Sequence, residues 1–211
     1  MAAPPVILNP TPAKLLCRSI ILVVVLILTS CGINNIPIFE QAVNEAWIEV
    51  QSQYRRRAEL VMELMADIEP LRASEPELFT ALEAIETRVF EMHIAPDTLE
   101  DAGAFANFEQ QQSTLSRVLN VVLDTADSLP AIAQEQQYLS LREMLTENSQ
   151  QIDVARRDYW QKVERYNSEL VNVPGRWWRA FVYPQALPKE NFDDPETVSY
   201  THLTLPTIYS V

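Results

Sequence analysis

Apolar residues recur at alternating three- and four-residue steps through four proline-free stretches, and this spacing leaves few folds open to the chain. In the first stretch, about 38–69, Val43, Val50, Leu64 and Leu71 repeat every seven residues, and so do Trp47, Tyr54, Val61 and Ile68. That pattern places all of them on one helical stripe, the a/d seam of a coiled coil. Arg57 alone interrupts it. The second stretch opens at Ser74-Glu75-Pro76-Glu77, which reads as a capping box, and runs Leu78, Leu82, Ile85, Val89 and Met92. The third offers Phe105, Phe108, Leu115, Leu119 and Val122, with Gln112 as its polar interruption. The fourth, about 134–172, carries Tyr138, Leu145, Ile152, Tyr159, Tyr166 and Val173, with Leu141, Asn148 and Ala155 beside them and a drift onto Val163 and Leu170. Such drift follows from the mismatch between 3.5 and 3.6 residues per turn. Proline removes a backbone donor, so Pro37, Pro70, Pro76, Pro96, Pro130 and Pro174 are the boundaries. No window alternates like a strand.

An all-α fold follows, with an antiparallel up-down four-helix bundle as the economical arrangement. Helices one and four would span roughly 48 and 58 Å at ~1.5 Å per residue, with two and three near half of that. The expectation is a four-helix head on a two-helix stalk. Antiparallel pairing of helices one and four would bring Arg57 near Asp153 and Arg156, with an Arg57–Asp153 or Arg57–Asp158 ion pair that sets register.

The composition of the 211 residues removes whole function classes. Three glycines, at 32, 103 and 175, cannot build a phosphate loop or a nucleophile elbow. Two Cys and two His cannot supply a Cys/His zinc site. Phe90 and Ser199 stand three positions before His93 and His202, so the Glu-x-x-His pair of a di-metal bundle is absent. A net charge of −13 opposes general nucleic-acid binding. No catalytic residue, metal ligand or dissociable cofactor is expected. Carboxylate pairs are plentiful, but with 29 acidic residues most must simply solvate the surface. His93 is expected near a helix C-terminus, where a cation is favoured.

The N-terminus reads as an address. Lys14 and Arg18 precede Ile20–Leu28, nine consecutive apolar residues. At ~1.5 Å per residue that is about half a bilayer core, which suits a signal peptide over residues 1–30 better than a spanning helix. Leu28-Thr29-Ser30-Cys31 resembles the lipobox of bacterial lipoproteins. The resemblance implies cleavage before Cys31, a covalent diacylglycerol on its sulfur and an acyl chain on its new amino group. Residues 31–37 would then link lipid to bundle, and the mature chain would carry −15 because Lys14 and Arg18 are lost. Gly32 after the anchor, in the sorting pattern of such proteins, favours the periplasmic face of the outer membrane over the inner one. At the other end, residues 176–198 begin with Arg176, Trp177, Trp178, Arg179, Phe181 and Tyr183. Such residues suit a membrane interface; the alternative is that they fold back on the stalk as an apolar plug. Residues 199–211 hold no charge and fit no seam, and they resemble the spurious endings of reading frames assembled from metagenomic data; the alternative is a genuine disordered tail.

The body, about Gly32 to Phe192 with its helical bundle at 38–175, resembles the LemA family of bacterial helical proteins. The likeness rests on Gly32-Ile33-Asn34-Asn35-Ile36-Pro37 followed by Glu45-Ala46-Trp47, on Gln53-Tyr54-Arg55-Arg56-Arg57-Ala58-Glu59-Leu60, on Ala155-Arg156-Arg157-Asp158-Tyr159 with Tyr166-Asn167, and on Pro174-Gly175. Val61-Met62-Glu63-Leu64 departs from the family pattern, which usually carries a Pro-Asn-Leu step there. The resemblance implies an anchored antiparallel bundle and no known catalytic activity. The expected function is a lipid-anchored scaffold that holds a helical head off the membrane to bind an envelope protein, or to assemble with further copies of itself. The alternative is a hydrolase or metal-binding bundle with a site of surface carboxylates.

Overall fold

The computed structural model describes residues 33–91 and 99–193. Residues 1–32, with Cys31 and Gly32, residues 92–98, with Met92, His93 and Pro96, and residues 194–211, with His202, lie outside them. Regular structure among the described residues is entirely helical. Its elements are α1 (Asn35–Asp67), α2 (Glu69–Ser74), α3 (Pro76–Glu91), α4 (Ala102–Ser128), α5 (Pro130–Ala133), α6 (Gln136–Val171) and α7 (Gly175–Phe181).

The seams are the core. Val43, Trp47, Val50, Tyr54, Val61, Leu64, Ile68 and Leu71 are all buried, and the α4 and α6 stripes are buried from Phe105 to Val122 and from Tyr138 to Leu170. Burying a large apolar side chain contributes about 2 kcal/mol relative to leaving it exposed. A surface pair such as Lys162–Asp158, both partners near half exposed, adds only a few tenths, roughly 0.3 kcal/mol. Packing of the stripes therefore decides the fold. α1 and α6 run antiparallel along each other: Asn35 donates to the Glu169 carboxylate at one end, and Asn148 donates to the carbonyl and side chain of Gln53 farther along.

Several boundaries differ from those the sequence suggests. Pro37 does not precede the first helix but lies in its first turn, where a missing N–H costs nothing. The bond from Leu71 N–H to Ile68 O closes a break after Asp67, so Leu71 belongs to α2. Ser74 ends α2 and donates back to the Leu71 carbonyl, so the capping box is not formed. Gly103 lies in the first turn of α4, where Asp101 accepts from its N–H and that of Ala104. Val173 falls beyond the end of α6 and is exposed.

The bare two-helix stalk is also corrected. α4 has 27 residues and spans ~40 Å rather than half of α1. Its Phe105 and Phe108 reach the seam between α1 and α6, together with Leu99, Ala186 and Phe192. A second cluster joins the far half of α1 to α2, α3, α4, α5 and the start of α6. Two helices alone would leave the flanks of Trp47, Val163 and Tyr166 in water; the rest of the chain covers them.

Candidate functional site

Each of the three longest helices carries one buried polar residue in its apolar stripe; those of α1 and α4 meet directly, while that of α6 bonds to Gln53 of α1. Arg57 of α1, Gln112 of α4 and Asn148 of α6 are buried at about 5% exposure or less, and they lie between the two apolar clusters. The Arg57 guanidinium donates to Ser116 Oγ at 2.7 Å, and to the carbonyl and side-chain oxygens of Gln112. It also lies 4.9 Å from the centre of the Tyr54 ring. The expected ion pair does not form. Asp153 and Asp158 are exposed on α6, and Asp158 faces Lys162 instead. The correction has a simple cause: α4 lies over the α1–α6 seam, so the a-position arginine meets α4 before it can reach the outer face of α6. Burial pushes the Arg57 pKa down to about 10, with Tyr54 opposing and Arg156 reinforcing the shift.

The six C-terminal residues with membrane-like chemistry separate into two groups. Arg176, Trp177 and Phe181 are exposed, Phe181 at 83% and Trp177 at 49%. Trp178 and Tyr183 are partly buried against the core, and Arg179 donates to the Ala186 carbonyl at 3.0 Å. α7 touches both α1 and α6, which places it at the end where α1 begins. Ile38, Val171, Val173 and Val182 are exposed at the same end. Gly175 makes this reversal possible, because a Cβ there would stand 2.1 Å from the Glu169 carbonyl oxygen.

After α7 the chain turns back along α6 as an extended strap. Asn167 grips the backbone of Lys189 twice, donating to its carbonyl and accepting from its N–H, both at 2.9 Å. Tyr159 donates to the Glu190 carbonyl at 2.7 Å, Asn191 donates to the Trp160 carbonyl, and Glu190 N–H bonds to the Leu99 carbonyl. Two strap side chains are inserted. Lys189 Nζ lies between the carboxylates of Glu40 and Glu100. Phe192 sits among Trp47, Phe105 and Tyr159, at 5.0 Å from Phe105, with the Arg156 guanidinium 4.2 Å above it. Burial pulls the Lys189 pKa down, but the hydrogen bonds and charges of Glu100 and Glu40 outweigh it and leave it raised.

Sequence reasoning singled out Arg57 and Gln112 from their broken stripes and placed Asn148 in the α6 seam without marking it, and it did not find Lys189, Phe192, Glu40 or Glu100. The Tyr166-Asn167 pair was visible only as part of a family likeness. Among the described residues no three His, Cys, Asp or Glu come together as a metal site, and no helix is long and apolar enough to cross a membrane. An open groove of about 560 Å³ lies between α1, α3 and α4, lined by Ile48, Tyr54, Arg55, Phe90, Phe108 and Gln112 among others. Compared with known proteins, the chain matches the model described as LemA family over residues 46–197. No curated protein matches it.

Proposed function

The chain belongs to the LemA family, and from that premise we propose that it is a lipid-anchored helical scaffold of the cell envelope, without catalysis. The observation that carries this reading is the clustering of exposed apolar and aromatic side chains at one end. Trp177, Phe181, Val173 and Ile38 are exposed where α1 starts, four residues after Cys31. Trp and Tyr prefer the headgroup level of a bilayer, and Arg176 can meet lipid phosphate. A diacylglycerol and an N-acyl chain on Cys31 would supply the two-chain anchor that stable membrane attachment requires. α1 then carries the opposite end of the molecule, built from α2, α3 and α5, ~50 Å away. In this reading the four longest helices form an up-down antiparallel bundle facing the periplasm, on the outer membrane in preference to the inner, and an envelope protein or a second copy docks on the distal end.

Replacing Cys31 with Ser tests the anchor. Metabolic labelling with a fatty acid should mark the parent chain and not the variant, and the variant should move to the soluble fraction. A parent chain that takes up no more label than the variant would overturn the lipoprotein assignment. A pulldown from detergent-solubilised cells tests the scaffold role, for which reproducible protein partners are expected.

A further inference from the structure

The strap is held in the manner of a bound peptide. Its backbone is read by side chains of the helices: Asn167 takes both polar groups of Lys189 and Tyr159 takes the carbonyl of Glu190, while the strap's own Asn191 donates to the Trp160 carbonyl of α6. A backbone bond, Glu190 N–H to Leu99 O, completes the grip. Two pockets then read side chains three positions apart, a cation between Glu40 and Glu100 and an aromatic ring among Trp47, Phe105 and Tyr159. Backbone bonds that give affinity, with pockets that give specificity, are the general grammar of extended-peptide recognition. The strap itself contains no helix or strand, and exposed Pro184, Gln185, Leu187 and Pro188 precede its anchored part. Beneath it, the Tyr166 hydroxyl is buried without a hydrogen-bond partner among the described residues, so the strap leaves one donor of its groove unused.

We infer that this groove is a peptide-binding site occupied by its own chain, and that its external ligand is an extended partner segment carrying Lys followed three residues later by Phe. This deepens the reading of the molecule as an interaction module and rests on it. A tethered ligand faces its site at an effective concentration in the millimolar range, so a free segment binds only once the strap lets go. The strap is thus an autoinhibitory contact.

The test uses the full chain in detergent and a fluorescent synthetic peptide copying Gln185–Asp193. The double variant Lys189→Ala, Phe192→Ala should bind that peptide at least ~100-fold more tightly than the parent chain does. A peptide with alanine at the Lys and Phe positions should not bind. A variant that keeps its helical circular dichroism and ignores the peptide overturns the inference, as does equal binding of the alanine peptide. Should the variant lose its fold, hydrogen exchange on the parent chain decides. The Glu190 amide should exchange at least ~100-fold faster than the Tyr159 amide, because the strap opens without the bundle. Equal rates overturn the idea. A parent chain that dimerises with concentration and is split by the peptide assigns the groove to a second copy, against a partner protein. None of these outcomes alters fatty-acid labelling or partner capture, so failure here is distinguishable from failure of the scaffold reading.

Discussion

At position 57 an arginine is buried against neutral partners, with its Nε lacking a partner among the described residues. Hydrogen bonds to a charged donor are worth more than neutral ones, and truncation would leave Gln112 buried with its acceptor unmet. Arg57→Ala should therefore lower unfolding stability by about 3 kcal/mol in a urea titration. Converting the whole layer, Arg57→Met with Gln112→Leu and Asn148→Leu, should bring stability back to at least the parent value, because an apolar layer avoids desolvating a charge. If both variants are equally unstable, the layer contributes more than a buried charge costs. Gly175 makes the opposite demand, for space. Its substitution by Ala sets a methyl group against the Glu169 carbonyl, and backbone cannot move aside cheaply. A loss of roughly 1–3 kcal/mol is expected by the overpacking rule, accompanied by a change in tryptophan fluorescence as Trp178 leaves the core.

Among the elements, α7 has seven residues and is too short to be stable by itself. Trp178 and Tyr183 hold it to the core, and that leaves Trp177 and Phe181 facing outward. Replacing both outward residues with Ser should change the melting temperature little, since Phe181 is 83% and Trp177 49% exposed. In a flotation experiment with anionic vesicles, the same replacement in the Cys31→Ser background should reduce vesicle association several-fold. Unchanged association would remove α7 from the membrane-facing surface. The strap illustrates why elements of this kind escape sequence reasoning. Lys189 and Phe192 belong to no periodic stripe, and their partners Glu40, Glu100, Trp47 and Tyr159 lie far away along the chain. Arg57 and Gln112 were legible because each breaks a stripe that is otherwise apolar.

For the molecule as a whole, burial links fold to pH. Tyr138, Tyr159 and Tyr166 are buried, and burial raises all three above the ordinary tyrosine value of about 10. The native state then holds phenolic protons that the unfolded chain releases, so their stabilisation is complete below pH ~10 and is lost as pH rises through the raised values. Arg57, pushed down to about 10, acts in the opposite direction, because the unfolded chain keeps that proton longer. Three groups outweigh one, and alkaline titration should unfold the protein above pH ~10, with tyrosinate absorbance and helical circular dichroism changing together. Tyrosinate appearing before helix is lost would show that the rings ionise in place. The helices and their buried faces could be read from the chain, because a 3.6-residue period binds each residue's environment to that of neighbours three and four positions away. The Arg57 partner, the length of α4 over the seam and the return of the strap were decided only by tertiary packing. Each depends on which residues from distant parts of the chain cover apolar surface that two helices alone cannot bury, and no local period encodes that choice.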